Sequence, residues 1–155
     1  MTFDKSLPDC NQAPFWRTKK LKAMSHQEWE SLCDGCGKCC LNKIEDNKTG
    51  KIFQTNGACR LLDLKTCRCT DYRHRKKRVP NCVQLSPDLV KTLSWLPRTC
   101  AYRLLGEGKD LPDWHPLRAG DDTSVPKAKV SVKGEAVGEM ETKVLNQHLV
   151  DWEDF

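Results

Sequence analysis

A chain of 155 residues with a formal charge of +5, 38% hydrophobic and 30% charged residues, is the size of one domain with a modest core. No run approaches the roughly 18 apolar residues of a membrane span, and Met1 to Lys20 lacks the apolar segment of a secretory signal, so no membrane role is expected and a cytoplasmic location is. Thiols stay reduced there, and ten cysteines then point to metal ligation more than to disulfides.

Residues 1–22 form a polar, basic, proline-punctuated leader, expected to pack on the body through Phe15 and Trp16 with Leu21. Ser25 and Glu28 make the S-x-x-E pattern of a capping box, which predicts a short helix through Trp29 and Leu32 that runs into Cys33. The chain then concentrates cysteine in Cys33-Asp34-Gly35-Cys36-Gly37-Lys38-Cys39-Cys40. Two cysteines separated by two residues can turn both sulfurs toward one ion, and Gly37 frees the backbone to aim N–H groups at them. Gly35 discourages a continuous helix, so a metal-wrapped turn is expected. The competing reading is a dithiol redox pair.

Cys59, Cys67, Cys69, Cys82 and Cys100 follow. With the first four they are enough for two four-coordinate sites or one polynuclear cluster. One sulfur of a C-x-C pair often points away, which leaves Cys67 and Cys69 unequal candidates, and Cys10 in the leader reads as a free thiol. Arg73-His74-Arg75-Lys76-Lys77-Arg78 carries five positive charges in six residues. It reads first as a solvated face, then as compensation for an anionic thiolate cluster, and last as a nucleic-acid footprint. Four thiolates on one divalent ion leave two negative charges, so the basic excess has an internal use.

Ser86-Pro87-Asp88 starts another helix, with Leu89, Leu93 and Leu96 recurring at helical spacing until Pro97. A last short helix carries Cys100, Ala101, Leu104 and Leu105 up to Gly106. From Gly106 to Val125 an irregular surface wrap is expected. Lys129 to Lys133 alternates around apolar positions, and Gly134 precedes Glu135-Ala136-Val137, which predicts a small hairpin. His26, His74, His115 and His148 read as ordinary histidines, with His115 the best candidate for a ligand. No phosphate-binding glycine loop, H-E-x-x-H or nucleophile elbow is present.

The blocks ESLCDGCGKCCL, TNGACRLLD, TCRCTDY, VPNC, WLPRTCAYRLL and WHPL resemble the CxxCxxCC cysteine-cluster family, a zinc- or iron-chelating domain, in its YcgN-like bacterial branch. Cys33, Cys36, Cys39 and Cys40 match the motif. Cys59 with Leu62 and Asp63, Cys69 with Tyr72, and Cys82 with Pro80 match three further cysteine positions. Cys67 and Cys100 look like features of the narrower branch. The family's R-P before the last of these cysteines stands here as Val79-Pro80. The resemblance implies metal ligation by Cys33, Cys36, Cys39, Cys40, Cys59, Cys69 and Cys82, with Cys67 and Cys100 as secondary candidates. A flagellin lysine methylase is similar in its cysteine cluster, which implies an iron–sulfur alternative. Thiolates suit both zinc and iron–sulfur clusters, and Cys33, Cys36 and Cys39 reproduce the start of a ferredoxin run without its fourth cysteine.

The expected architecture is therefore a small, loop-rich α+β single domain with short helices, a small β-hairpin and a thiolate metal centre. Residues 1–22 are the leader, 23–125 the cysteine-cluster domain, and 126–155 a C-terminal hairpin and acidic tail. The expected function is metal binding, with zinc or iron as cofactor, in an accessory or metal-handling role. The alternatives are an iron–sulfur enzyme or enzyme accessory protein of methyl-transfer type, and a nucleic-acid-binding zinc module. A monomer with a protein partner is expected, and nucleic acid is not; no reaction or catalytic residue is assigned.

Overall fold

The longest helices among the described residues have six residues, too few to stand alone in water, so tertiary contacts and caps must hold them. The computed structural model describes residues 13–138 and 149–150; Cys10, His148 and the acidic tail from 151 lie outside them. Along this span run α1 (Phe15–Thr18), α2 (His26–Ser31), β1 (Leu41–Glu45), β2 (Ile52–Ala58), α3 (Arg75–Arg78), α4 (Pro87–Val90), α5 (Ala101–Gly106), α6 (Pro116–Ala119) and α7 (Ser124–Lys127). The fold is α+β and loop-rich, with one two-stranded antiparallel sheet. No helix in the described residues is long and apolar enough to cross a membrane.

The capping box forms in full. Ser25 Oγ accepts from the Glu28 N–H at 3.1 Å, and Glu28 Oε2 accepts from the Ser25 N–H at 2.9 Å. Leu32, at the end of α2, is fully buried among Val90, Leu96, Ala101, Tyr102 and Leu111. Phe15, Trp16 and Leu21 pack against this cluster, and Trp16 and Arg17 both bind Asp110. A second cluster of Leu41, Ala58, Leu62, Cys67 and Val132 lies under the hairpin.

The hairpin is β1–β2, closed by a loop in which Asp46 Oδ1 accepts from Lys48 and Thr49 and Gly50 takes φ 70°. It is not the segment 129–137. There Lys129 and Gly134 take positive φ, and Val132 donates to the Cys36 carbonyl at 2.9 Å. Val137 then pairs in parallel with Gly57, beside β2. The apolar alternation is real, but its partners are the cysteine turn and β2 and not its own return strand.

The helix expected from Ser86 to Pro97 is only α4. Thr92 ends it by bonding the Leu89 carbonyl through both its N–H and its Oγ1, each at 2.9 Å. Turns carry the chain on, and Leu96 still reaches the core fully buried. The wrap from Gly106 to Val125 is more ordered than expected. It holds α6, begins α7 at Ser124 and buries Leu111 and His115.

His115 is a structural residue. Its Nε2–H donates to the Leu32 carbonyl at 2.8 Å, and its Nδ1 accepts from the Leu117 N–H at 3.1 Å, capping α6. Both ring nitrogens are thus used, and neither is left for a metal. His115→Leu, which keeps bulk but orphans two backbone groups, should lower unfolding free energy by roughly 1–3 kcal/mol for each. Leu32→Ala should cost roughly 2–5 kcal/mol and Ser25→Ala about 1 kcal/mol. Equilibrium denaturation at fixed metal content checks the order, and a neutral Leu32→Ala would show the first cluster is not the main core.

Candidate metal centre

The cysteine motif begins where α2 stops. Asp34 Oδ1 accepts from the Cys36 N–H at 2.9 Å, an Asx turn that folds the chain back at once. Gly35 and Gly37 then take φ 73° and 81°, and the Cys40 N–H closes on the Gly37 carbonyl at 3.1 Å in a 3₁₀ turn over Lys38–Cys40. Gly37 is also a point of close approach: a Cβ there would lie 2.6 Å from Val132 Cγ2. The four cysteines therefore lie on a wound turn, as the glycines predicted, and not along one helical face.

The later cysteines return to this turn by separate routes. The Cys59 N–H donates to the Cys40 carbonyl at 2.7 Å, just past the pairing of Leu41 with Ala58. Cys69 pairs with Leu62 in an antiparallel bridge, and the Thr70 N–H donates to Leu61 at 2.7 Å. The Arg60 guanidinium donates to the Arg78 carbonyl, which ties the segment carrying Cys82 to the Cys59 turn. Cys100 is the N-cap residue of α5. It is set beside the motif by Tyr102, whose hydroxyl donates to the Trp29 carbonyl at 2.8 Å and whose ring meets Trp29 at 4.6 Å.

Cys67 takes another course. Its φ is 55°, its sulfur lies 3.4 Å from Ser131 Oγ, and it is buried in the second apolar cluster. The nine described cysteines, Cys33 through Cys100, are free thiols.

Electrostatics records who faces whom. Burial first, then Cys59, Cys69, Cys82 and Cys33 in that order, push the Cys40 thiol up to about 12. Cys39 is raised by burial and then by Cys100 and Cys33, with Cys40 after Lys43's opposing effect. Burial raises Cys100 to about 11, where Asp34 and Cys33 add to it and the N–H groups of Arg103 and Tyr102 oppose it. Burial also raises Cys36 and Cys33, helped by Asp34. Cys33 and Cys39 nonetheless have exposed surface. They stand at the rim of dense protein, desolvated from behind and reachable from outside.

Sequence reasoning missed three residues. Lys38 is almost wholly buried beside Cys36 and Asp34. Lys43, near Cys39, Cys40 and Cys36, donates from Nζ to the Leu41 carbonyl at 2.9 Å and lies over the Trp95 ring at 4.5 Å. Asp34 is buried, and its Oδ2 has no hydrogen-bond partner. Cys-Asp-Gly carried the signal for the Asx turn, whereas nothing local marks the lysines. These lysines, more than the basic run, supply positive charge to the thiols. Arg75 instead stacks on Tyr72 at 3.8 Å, Arg78 and His74 bind Asp71, and Lys76 bonds Pro80.

Among the described residues, no group of three or more His, Cys, Asp or Glu side chains is closed so as to hold an ion as it stands. The fold fixes the neighbourhood, and the donor set fits a thiolate-seeking metal in kind: soft sulfur throughout, with an orphaned buried carboxylate oxygen at Asp34 that a cation would offset.

Residues 32–101 match the CxxCxxCC family model, described as "Putative zinc- or iron-chelating domain". A UPF0260 protein of Rhizorhabdus wittichii is 60% identical over 138 residues, spanning 89% of this chain and 94% of its own. UPF0260 proteins of Gluconobacter oxydans and Marinobacter nauticus are 54% and 52% identical over 140 and 143 residues, covering 90% and 91% of this chain and 86% and 97% of theirs. No solved structure matches the chain. With its cysteine turn, the returning cysteines and this degree of identity, the chain belongs to the UPF0260 family and carries the CxxCxxCC domain.

Proposed function

We propose that the chain binds zinc or iron through Cys33, Cys36, Cys39, Cys40, Cys59, Cys69, Cys82 and Cys100, in the reducing cytoplasm, and serves an accessory or metal-handling role beside a protein partner. The observation that carries this reading is the return of cysteines distant in sequence onto one turn. Thiols brought together without a cation repel once ionised, and crowding them into dense protein raises their pKa values. A bound metal reverses that cost and crosslinks a modest core. An iron–sulfur centre of the methyl-transfer type is the second reading, supported by the three-cysteine ferredoxin-like start at Cys33.

Metal content of anaerobically purified protein, with its visible absorption, separates these readings: a colourless protein with zinc supports the first, and a brown one the second. Cys36→Ser and Cys39→Ser should each lower metal content and melting temperature, whereas Cys10→Ser should change neither. Full metal occupancy in both motif variants would refute the assignment.

Metal loading should release protons and strengthen as pH rises. In the folded chain the raised pKa values keep Cys40 and Cys100 protonated at neutral pH, and an unfolded thiol near 8.5 is mostly protonated too. The sign is thus the same from either starting state. Zinc titration calorimetry in two buffers of different ionisation enthalpy measures it, and identical heats would contradict ligation by thiolate.

The basic run is locally paired and solvated, so the wild-type chain should bind little RNA or DNA at physiological salt. A filter-binding assay showing tight binding that is abolished by glutamine at Arg75, Lys76, Lys77 and Arg78 would support the nucleic-acid alternative instead.

A further inference from the structure

We infer that Tyr72 and Glu30 form a side-chain clasp that seats the segment carrying Cys69 and Cys82 on the first cysteine turn, and that this segment opens and closes as a strap when the clasp breaks and re-forms. The inference rests on the metal-binding reading above and deepens it. Tyr72 and Glu30 are positioning residues for the returning cysteines, and neither is a ligand.

Tyr72 stands three residues after Cys69, in a C-x-x-Y element that the metal reading leaves without a use. Although 49% of its surface is exposed, the tyrosine is held at three points. Its hydroxyl donates to Glu30 Oε2 at 2.7 Å, a bond that spans 42 positions of sequence. The Arg75 guanidinium lies over its ring at 3.8 Å, and Arg75 Nη1 donates to its carbonyl at 2.7 Å. Partial burial, and then the Glu30 acceptor, push the hydroxyl up to about 12, so it remains a donor at neutral pH. Glu30 sits in the last turn of α2, three residues before Cys33. The bond therefore ties the approach to the first cysteine to the exit from Cys69.

Arg68 meets the same edge at a second place. A Cβ on Gly35 would lie 2.6 to 2.9 Å from the guanidinium carbon and both terminal nitrogens of Arg68, so the planar group faces the bare glycine backbone. Residues 68–72 thus touch the chain at Glu30 and at Gly35, before and after Cys33. The Leu62–Cys69 bridge and the Thr70 bond to Leu61 hold this segment to the hairpin side, and the clasp joins it to the α2 side. Cys82 follows, because its N–H closes on the Val79 carbonyl at 2.9 Å, just after α3. A hydrogen bond to a carboxylate at the surface is strong enough to seat a strap and weak enough to let it open locally.

The test uses the full chain as purified anaerobically, with amide hydrogen exchange over residues 70–79 read by mass spectrometry. Tyr72→Phe and Glu30→Ala should each exchange there roughly three- to tenfold faster, and the double variant no faster than either. Alanine suits a helix, so α2 itself is not weakened. Glu30→Gln keeps an acceptor oxygen and should keep most of the wild-type protection, and Lys77→Gln, an exposed cation of the same segment, should keep all of it. Low urea should not accelerate the exchange further, since the opening exposes little surface. Iodoacetamide should label Cys69 and Cys82 faster in the two clasp variants. Unchanged exchange in Tyr72→Phe, additive effects in the double variant, a Glu30→Gln variant that behaves like Glu30→Ala, or acceleration that grows with urea as global unfolding does would each overturn the clasp. Zinc and iron are measured on the same samples. The clasp pattern in a chain that binds neither metal would remove the metal reading and keep the clasp, and metal retained without the pattern would do the reverse.

Discussion

Gathering thiols that would repel one another as thiolates inside a small protein is the constraint on which the rest of this structure depends. Burial already holds Cys36, Cys39, Cys40 and Cys100 well away from ionisation, so the fold must supply the neighbourhood by other means. It does so with backbone bonds that need no charge: the Asx turn at Asp34, the Cys59 to Cys40 ladder bond and the Leu62–Cys69 bridge. Lys38 and Lys43 enter the same shell at their own desolvation cost, which lowers their pKa values while the thiols pull them back up.

The two apolar clusters divide the labour in space. One, built around Leu32, Leu96 and Tyr102, positions the start of the motif and Cys100. The other, built around Leu41, Leu62 and Val132, backs the hairpin and the turn that carries Cys69. Between them the motif is clamped where Val132 presses on Gly37, a contact with no room for a side chain on the glycine. Helices of one or two turns suffice because each serves only to deliver a residue: α5 delivers Cys100, α2 delivers Cys33, and α6 is tied to the core by His115.

Local chemistry was legible in the sequence, and long-range pairing was not. The Ser25–Glu28 box and the N-cap at Ser86 depend on residues within one turn of each other and formed as read. The cysteine turn was legible for the same reason, through Gly35 and Gly37. The hairpin was misplaced because Leu41–Glu45 shows little alternation in burial, and its closing turn at Asp46 and Gly50 was stronger evidence than the strands themselves. Val130 and Val132 alternate well, but the partner that Val132 takes lies almost a hundred residues earlier at Cys36, which no periodicity records. His115 read as an ordinary histidine and as the best ligand candidate of the four, and only the fold shows that Leu32 and Leu117 occupy its nitrogens.

The two backbone bonds that hold the cysteine turn differ in reach. The Cys59 N–H bond to the Cys40 carbonyl closes the hairpin on itself, whereas the Val132 N–H bond to the Cys36 carbonyl joins segments far apart in the chain. A chain leaving the ribosome can therefore pair β1 with β2 before Val132 has been made. The hairpin also encloses the shorter loop, whose closure entropy is smaller. Order of synthesis and cost of closure thus favour the same sequence of assembly, in which the hairpin side is organised first and Val132 arrives last to press on Gly37.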